Sequence, residues 1–498
     1  MKKINKIIFV GLLAVLMGCN DAIDIRQPGR LDAANAFTNV EDLQLGLLGI
    51  YAQWDLTPEI ALASNFCDEV SIGFDSGGQG LALYGFQLNP ASAAGSNFWV
   101  RNFAFNNRAS ILIEAANSLS SEIDAADQAE FNNILAQAHF LRAYANHELL
   151  LYFSTDVRDD STLAAPVIDF VPGLTFQPLR DTTGDLWAYI NSDLDLASSL
   201  SNVQSDVTFI SRDAITAFRA RLAMERGDYP TAASLAQGLL NSYPIADRDQ
   251  YQLMFLDADN TEIIMKLERT PNDPFDGQGA TGSVNAGGWA GARFAFVDAT
   301  LAGSPYFEMD RNVFNMLDPA DIRFDVNVAP TSVISGDFDN DPDPVNNDIL
   351  VIQKYPGSEG QPLMNDLKAF RSSEMLLILA ESRAAMGNFS GAAELIQQLR
   401  TARFGSAQPL PVYNSMQEAF AGVLDERRVE LVFEGHRYKD LKRIGVAAGR
   451  GIDRNMIDCL GQGNACTLSA DDFRFTLPIP IVEINGNPAI GAEQNPGY

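Results

Sequence analysis

DERRVELVFEGHRYKDLKRIG, residues 425–445, is the stretch whose reading decides the fold. Asp425, Glu426, Glu430, Glu434 and Asp440 alternate with Arg427, Arg428, Arg437, Lys439, Lys442 and Arg443. Threaded among them are Val429, Leu431, Val432, Phe433, Tyr438 and Leu441, more bulky apolar residues than a solvated charged face needs. Helical spacing puts Arg427 beside Glu430 and Glu430 beside Glu434. Gly435 is placed to end that helix, since glycine alone enters the left-handed conformation without strain. The stretch therefore predicts a partly buried ion-pair network that locks a helix–turn–helix onto the body. An exposed charged helix with snorkelling arginines is the alternative.

Around this stretch the chain has 498 residues, 46% of them hydrophobic, enough for a sizeable core and too many for a disordered chain. Beyond the first twenty positions 32 basic side chains face 64 acidic ones, a balance of −32. Nucleic acid and anionic headgroups are poor partners for such a surface, which is also compatible with a salty habitat. Residues 1–18 read as a signal peptide. Lys2, Lys3 and Lys6 precede an apolar run, Ile7 to Met17, too short to span a bilayer. Leu16-Met17-Gly18-Cys19 resembles a bacterial lipobox, which makes Cys19 the expected lipidation site and outer-membrane anchor. Of the remaining cysteines, Cys459 and Cys466 bracket the polar loop LGQGNA and are expected to form a disulfide in an oxidising compartment. A zinc site lacks ligands there, and Cys67 is left as a buried thiol.

Periodicity predicts helices at about 40–53, 98–119, 126–153, 185–200 and 211–240, and again at 368–386, 390–403 and 415–434. ARLAMERGDYPTAASLAQGLL, 220–240, aligns without gaps to AESRAAMGNFSGAAELIQQLR, 380–400. Gly227/Gly387, Asp228/Asn388, Tyr229/Phe389 and Ala232/Ala392 match in the way tetratricopeptide helix pairs are joined. The expected domain, 19–498, thus has a helical scaffold at about 36–255 and 365–445. Loop-rich insertions fall at about 60–97 and 256–361, with possible strands at 262–267 and 349–355, and an extended tail runs over 446–498. The fold class is mostly α.

ERRVELVFEGHRYKDLKR resembles the C-terminal signature of the SusD/RagB family, and LPIPIVEINGNPAIGAEQNPGY is similar to that family's ending. FLRAYANHELLLYF, RSSEMLLILAESRAAMGN and FTNVEDLQLGLLGIYAQW look like family blocks in family order. The resemblance implies a tetratricopeptide-like scaffold carrying an irregular binding subdomain. It also implies an outer-membrane lipoprotein, facing the cell exterior, that captures poly- or oligosaccharide for a SusC-like TonB-dependent transporter without catalysis. No catalytic or phosphate-binding motif contradicts this: the chain lacks G-x-S-x-G, H-E-x-x-H and a P-loop. A tetratricopeptide scaffold that binds no sugar and a lipid-anchored glycosidase are the competing functions.

Sugar rings stack on flat aromatic faces while polar side chains take their hydroxyls. Trp289, in GSVNAGGWAGARF, is the first choice for such a platform, because flanking glycines deny it a helix or strand interior. Phe275, Arg293 and Tyr306 share its segment, and Trp54, Asp68, Tyr84, Asn97 and Trp99 are the N-terminal candidates. Trp187 is expected in the core. No cofactor is required; calcium is a possible ligand of Asp337, Asp339, Asp341 and Asp348, spaced as in an EF-hand-like loop. Pro342 stands where that loop needs glycine, and a solvated acidic loop is the simpler reading. The glycan is not written in the sequence; laminarin is an ecological guess from the acidity.

Overall fold

Asn39 caps the first helix, accepting the Asp42 N–H at 2.9 Å. The computed structural model describes residues 36–73, 76–201, 206–272, 289–294, 305–460, 463 and 465–498. Helices α1 (Val40–Tyr51) and α2 (Thr57–Phe66) lead through the short strand β1 (Val70–Ile72) and one-turn α3 (Leu81–Tyr84) to two long helices. These are α4 (Ala93–Leu119) and α5 (Gln128–Phe153), followed by α6 (Thr183–Leu200), α7 (Arg212–Arg226) and α8 (Tyr229–Leu240). After strands β2 (Ile263–Leu267) and β3 (Phe307–Met309), strand β4 (Leu367–Arg371) runs directly into α9 (Ser372–Ala385), then α10 (Phe389–Phe404) and α11 (Met416–Glu430). Neighbouring helices pack as α4–α5–α6, α7–α8–α9 and α9–α10–α11, a stack of hairpins around one apolar core. The protein is mostly α, as its texture predicts.

The two aligned hairpin turns share one chemistry. Gly227 (φ +83°) ends α7 and the Asp228 carboxylate accepts the Thr231 N–H at 3.2 Å; Gly387 (φ +79°) follows α9 and Asn388 accepts the Gly391 N–H at 3.0 Å. Left-handed glycine followed by a capping Asp or Asn reverses the chain and starts the next helix in three residues.

Three elements differ from the sequence reading. Helix α2 occupies what reads as the start of a loop at about 60. Pro58 sits in its first turn, where no N–H is needed, and Asp55 receives the Thr57 N–H at 2.9 Å and its hydroxyl at 2.6 Å. Residues 367–371 are a strand rather than the start of a helix, because they pair with β2. The expected strand at 349–355 is only two isolated bridges, Ile349 to Val333 and Ile352 to Val328.

The deciding stretch is buried, and most of its ion pairs reach distant segments, Arg427–Asp440 and Arg443–Asp440 being the pairs made within it. Helix α11 ends at Glu430, short of Gly435, with Phe433 (φ +61°) and Gly435 (φ +85°) turning the chain. A Cβ on Gly435 would meet the Glu59–Ile60 backbone at 3.2 Å, so glycine also permits the close approach to α2. Glu430 binds Arg371 (2.6 Å), Arg403 (2.8 Å) and Arg323 (3.2 Å); Glu434 binds Arg371 and Lys354, both at 2.8 Å. Arg427 pairs with Asp440 (2.7 Å), not with Glu430, and Lys439 reaches Glu59 (2.7 Å) and Glu148 (3.4 Å). Burial opposes charge on Glu430, but Arg403 and Arg371 outweigh it and hold the carboxyl well below its ordinary range. The network ties β4 and α10 to α11 through Glu430, and α2 and α5 to the following turn through Lys439. Past Asp440 the chain makes a π-helical turn, Leu441–Gly445, whose Arg443 reaches Glu381 of α9.

The tail is held by its polar residues. Asn495 donates to Phe153 O (3.0 Å) and Leu477 O (2.7 Å), and Arg180 donates to Glu493 O (2.7 Å) and Asn495 Oδ1 (2.9 Å). The tail is not wholly extended: Ile481–Gly486 is helical and Pro488–Glu493 is 3₁₀. Among the described residues no helix is long and apolar enough to cross a membrane.

Candidate ligand-binding face

Strand β1 pairs antiparallel with β3, and this pairing brings the N-terminal loop and the large insertion to one face. Gly73 N donates to Tyr306 O at 3.0 Å, and a Cβ on Gly80 (φ +74°) would strike the Phe307 ring at 2.7 Å. Glycine at 80 therefore lets the turn at 76–80 lie directly over Phe307. Its tip, Gly77–Gln79, is exposed, and Tyr306, whose carbonyl takes the Gly73 N–H, is half-buried.

Three buried arginines fix the base of this face. Arg437 grips Asp68 through two bonds, 2.8 and 2.9 Å, and Arg428 donates to Asp68 O at 2.7 Å. Burial raises the Asp68 pKa, but Arg428 and Arg437 together outweigh it and bring it to about 2. Arg454 spends its guanidinium on carbonyls of the same loop: Cys67 O (2.7 Å), Phe66 O (2.7 Å), Asn65 O (3.1 Å) and Tyr84 O (2.5 Å). It lies 3.7 Å from the centre of the Tyr84 ring, and burial lowers its pKa. Arg454 belongs to a hairpin whose strands, Ile452–Asp453 and Thr467–Leu468, flank the Cys459–Cys466 disulfide, with Cα atoms 5.5 Å apart. Cys67 is free and buried, and burial raises its thiol pKa well above the ordinary value.

The root of the insertion is pinned nearby. Arg269 donates to Trp54 O (3.4 Å) and Asp55 Oδ1 (3.5 Å), and Trp289 Nε1 donates to Thr270 O (3.3 Å). Trp289 is 5% exposed, packed with Ala292, Leu363 and Met364. Its glycine-flanked sequence suggests a loop platform, but Leu363 and Met364 arrive from a distant segment and cover it. Four other candidates are also corrected. Trp54 packs against Tyr144 and Phe140, and Trp99 packs against Phe153 and donates to Glu483 at 3.0 Å. Tyr84 and Asp68 lie beneath the face as its supports. Asn97 is exposed and shares a crevice with Gln53, Trp54 and Arg101, but its volume of about 20 Å³ holds no more than a water. Among the described residues Tyr306 is thus the one aromatic candidate that remains partly open. Phe275 and the Arg293 side chain lie outside the described residues, as does Cys19.

The four aspartates offered to calcium are held apart by separate partners. Asp348 is buried, accepting from Arg311 (2.6 Å) and Ser335 N (2.8 Å); Asp341 accepts from Ser335, Asp343 N and Asn347; Asp337 accepts from Asn340. Asp339 joins no group with them, and among the described residues no three acidic, His or Cys side chains converge as a metal site. The histidines are structural: His139 meets Asp193 at 2.7 Å and His147 meets Glu225 at 2.6 Å. Trp187 is core, its Nε1 bonded to Val157 O at 2.8 Å.

Residues 334–498 match the SusD family model. The whole chain aligns with the whole of SusD-like protein P2 of Formosa agariphila, 25% identical over 535 residues. A SusD superfamily protein of Bacteroides thetaiotaomicron superposes with a TM-score of 0.75 at 22% identity, over 92% of this chain and 100% of that one. Surface glycan-binding protein A of Bacteroides fluxus superposes with a TM-score of 0.69 at 21% identity, over 92% and 99%.

Proposed function

We propose, from the premise that this chain is a SusD/RagB family protein, that it binds glycan at the cell surface and does no chemistry on it. The observation that carries this reading is the end-to-end alignment with SusD-like protein P2, supported by the shared fold of a surface glycan-binding protein. The face over β1 and β3 is the proposed site. Its base is held by Asp68–Arg437 and Arg454, so a ligand meets a preorganised surface rather than one it must order. Tyr306 supplies an aromatic surface for a sugar ring, and exposed Gln79 supplies hydroxyl partners. We further propose that Cys19 is acylated, that the protein faces outward from the outer membrane, and that it hands its ligand to a SusC-like TonB-dependent transporter.

Electrophoresis through gels cast with a panel of polysaccharides, laminarin among them, tests the reading. Retardation in at least one gel, lost on Tyr306→Ala while the melting temperature holds, supports it. Retardation that is unchanged in Tyr306→Ala moves the site elsewhere, and mobility unaffected by every glycan favours a scaffold without sugar binding.

A further inference from the structure

Away from that face, a cavity of about 440 Å³ opens where the end of α5, the loop 155–158, the π-helical turn and the tail meet. That volume is in the range of small-molecule sites and accommodates one or two sugar rings. Its walls include Asp156, Arg158, Lys442, Asp471, Phe473 and Thr476. Phe473 and Val446, both partly exposed, stand at its mouth.

Lys442 sets this cavity apart. Beyond the leader the chain has five lysines: 266, 354, 368, 439 and 442. The first four each meet a carboxylate, at 2.8, 2.8, 2.5 and 2.7 Å. Lys442 meets none among the described residues. Its Nζ donates to Leu151 O (2.7 Å) and Ser154 O (2.8 Å), carbonyls at the C-terminus of α5, which leaves one N–H uncommitted. The other cations of the wall are already engaged. Arg443 binds Glu381 and Asp440, Lys439 binds Glu59 and Glu148, and Arg158 donates to Glu225 O and Tyr229. Burial pulls the Lys442 pKa down to about 7, only weakly opposed by Asp156. A bound anion would supply the counter-charge that the fold withholds. The neighbouring acids limit what fits. Asp472 is spent on Arg474, but Asp156 and Asp471 leave room for one negative charge rather than several, and they accept from hydroxyls. The π-helical turn that carries Lys442 is a rare local geometry, frequent at functional sites.

We propose that this cavity is a second ligand site, which takes a singly charged anionic sugar with its carboxylate or sulfate on Lys442 Nζ. The choice of a sugar rests on the glycan-binding reading; the choice of an anion rests on Lys442 alone. Calorimetric titration of the purified protein with methyl glucuronide, glucose 6-sulfate and neutral methyl glucoside tests it. Saturable binding of one acidic probe, at least tenfold tighter than of the glucoside, is expected, and the preferred probe tells carboxylate from sulfate. Lys442→Met, which keeps the stem and removes the charge, is expected to weaken that binding at least tenfold. Because Lys442 also caps α5, Val446→Trp serves as a second variant that narrows the mouth from an exposed position without touching the core. It is expected to weaken binding similarly while melting like the wild type. No saturable binding of either acidic probe, or full affinity in both variants, overturns the proposal. If the acidic probes fail while polysaccharide gels still retard the protein, only this second site falls. Binding here with no retardation in any gel removes the face over β1 and β3 instead.

Discussion

Replacing Asp68 by Asn probes the joint between the C-terminal stretch 425–445 and the proposed binding face. In the native protein Asp68 is the only carboxylate paired with Arg437 among the described residues, and both groups are buried. Asparagine keeps the shape but removes the charge, leaving a buried guanidinium whose partner now offers one acceptor and one misdirected donor. Breaking one side of a buried pair costs about 3–5 kcal/mol. The lowered pKa gives an independent figure: a fall from 3.8 to about 2 corresponds to roughly 2.4 kcal/mol of native-state preference for the ionised form. The two agree on a loss of about 2–5 kcal/mol, a large fraction of a typical folding free energy. This stabilisation is present above pH 3.8, the unfolded value, and is lost as pH falls through about 2. Urea unfolding at pH 7 of wild type and Asp68→Asn measures it, and the difference should shrink as both are taken toward pH 2. A variant within 0.5 kcal/mol of wild type at pH 7 would refute the claim that this pair anchors the loop.

Other perturbations separate core from surface. Trp289→Ala should cost about 3–5 kcal/mol of stability through the cavity it leaves between Leu363 and Met364, with glycan retardation retained wherever the variant is folded; thermal melts and gels check both. His147 is buried, which favours its neutral form, but Glu225 and Glu148 together outweigh this and raise its pKa from 6.5 to about 9. Its contribution, roughly 3 kcal/mol, is fully present below pH 6.5 and is lost as pH rises through about 9. Denaturant titrations from pH 6 to 9.5 should show the gap between wild type and His147→Gln closing over that interval. Cys19→Ala should release the protein from the membrane fraction, and unchanged fractionation would place the anchor elsewhere.

The parts legible in the sequence are those decided by near neighbours. Gly227-Asp228 and Gly387-Asn388 specify their turns within three residues, so the repeat shows without a structure. The burial of 425–445 is legible too, because so many apolar residues share the stretch with its charges. The partners of those charges are not, since Arg371, Arg323 and Asp68 are brought to it only by the fold. The same physics hides the fate of Trp289, covered by residues about seventy positions away, and turns 367–371 into a strand through pairing with β2. Helix α2 escapes the sequence because a first-turn proline such as Pro58 and a terminating one look alike until the following helix is seen. Lys442 gives no signal at all in the sequence. It stands among charges of both signs, and only the geometry shows which of the lysines meets no carboxylate among the described residues.

Glycan binding without catalysis on the face over β1 and β3 is tested by calorimetric titration of a gel-retarding oligosaccharide into wild type and Tyr306→Ala, with chromatography of the sugar recovered afterwards. Saturable binding by wild type is expected, with a loss on the order of 2 kcal/mol on truncating Tyr306 and recovery of the sugar uncleaved. Shorter products or new reducing ends, or identical affinities in the two proteins, would contradict it.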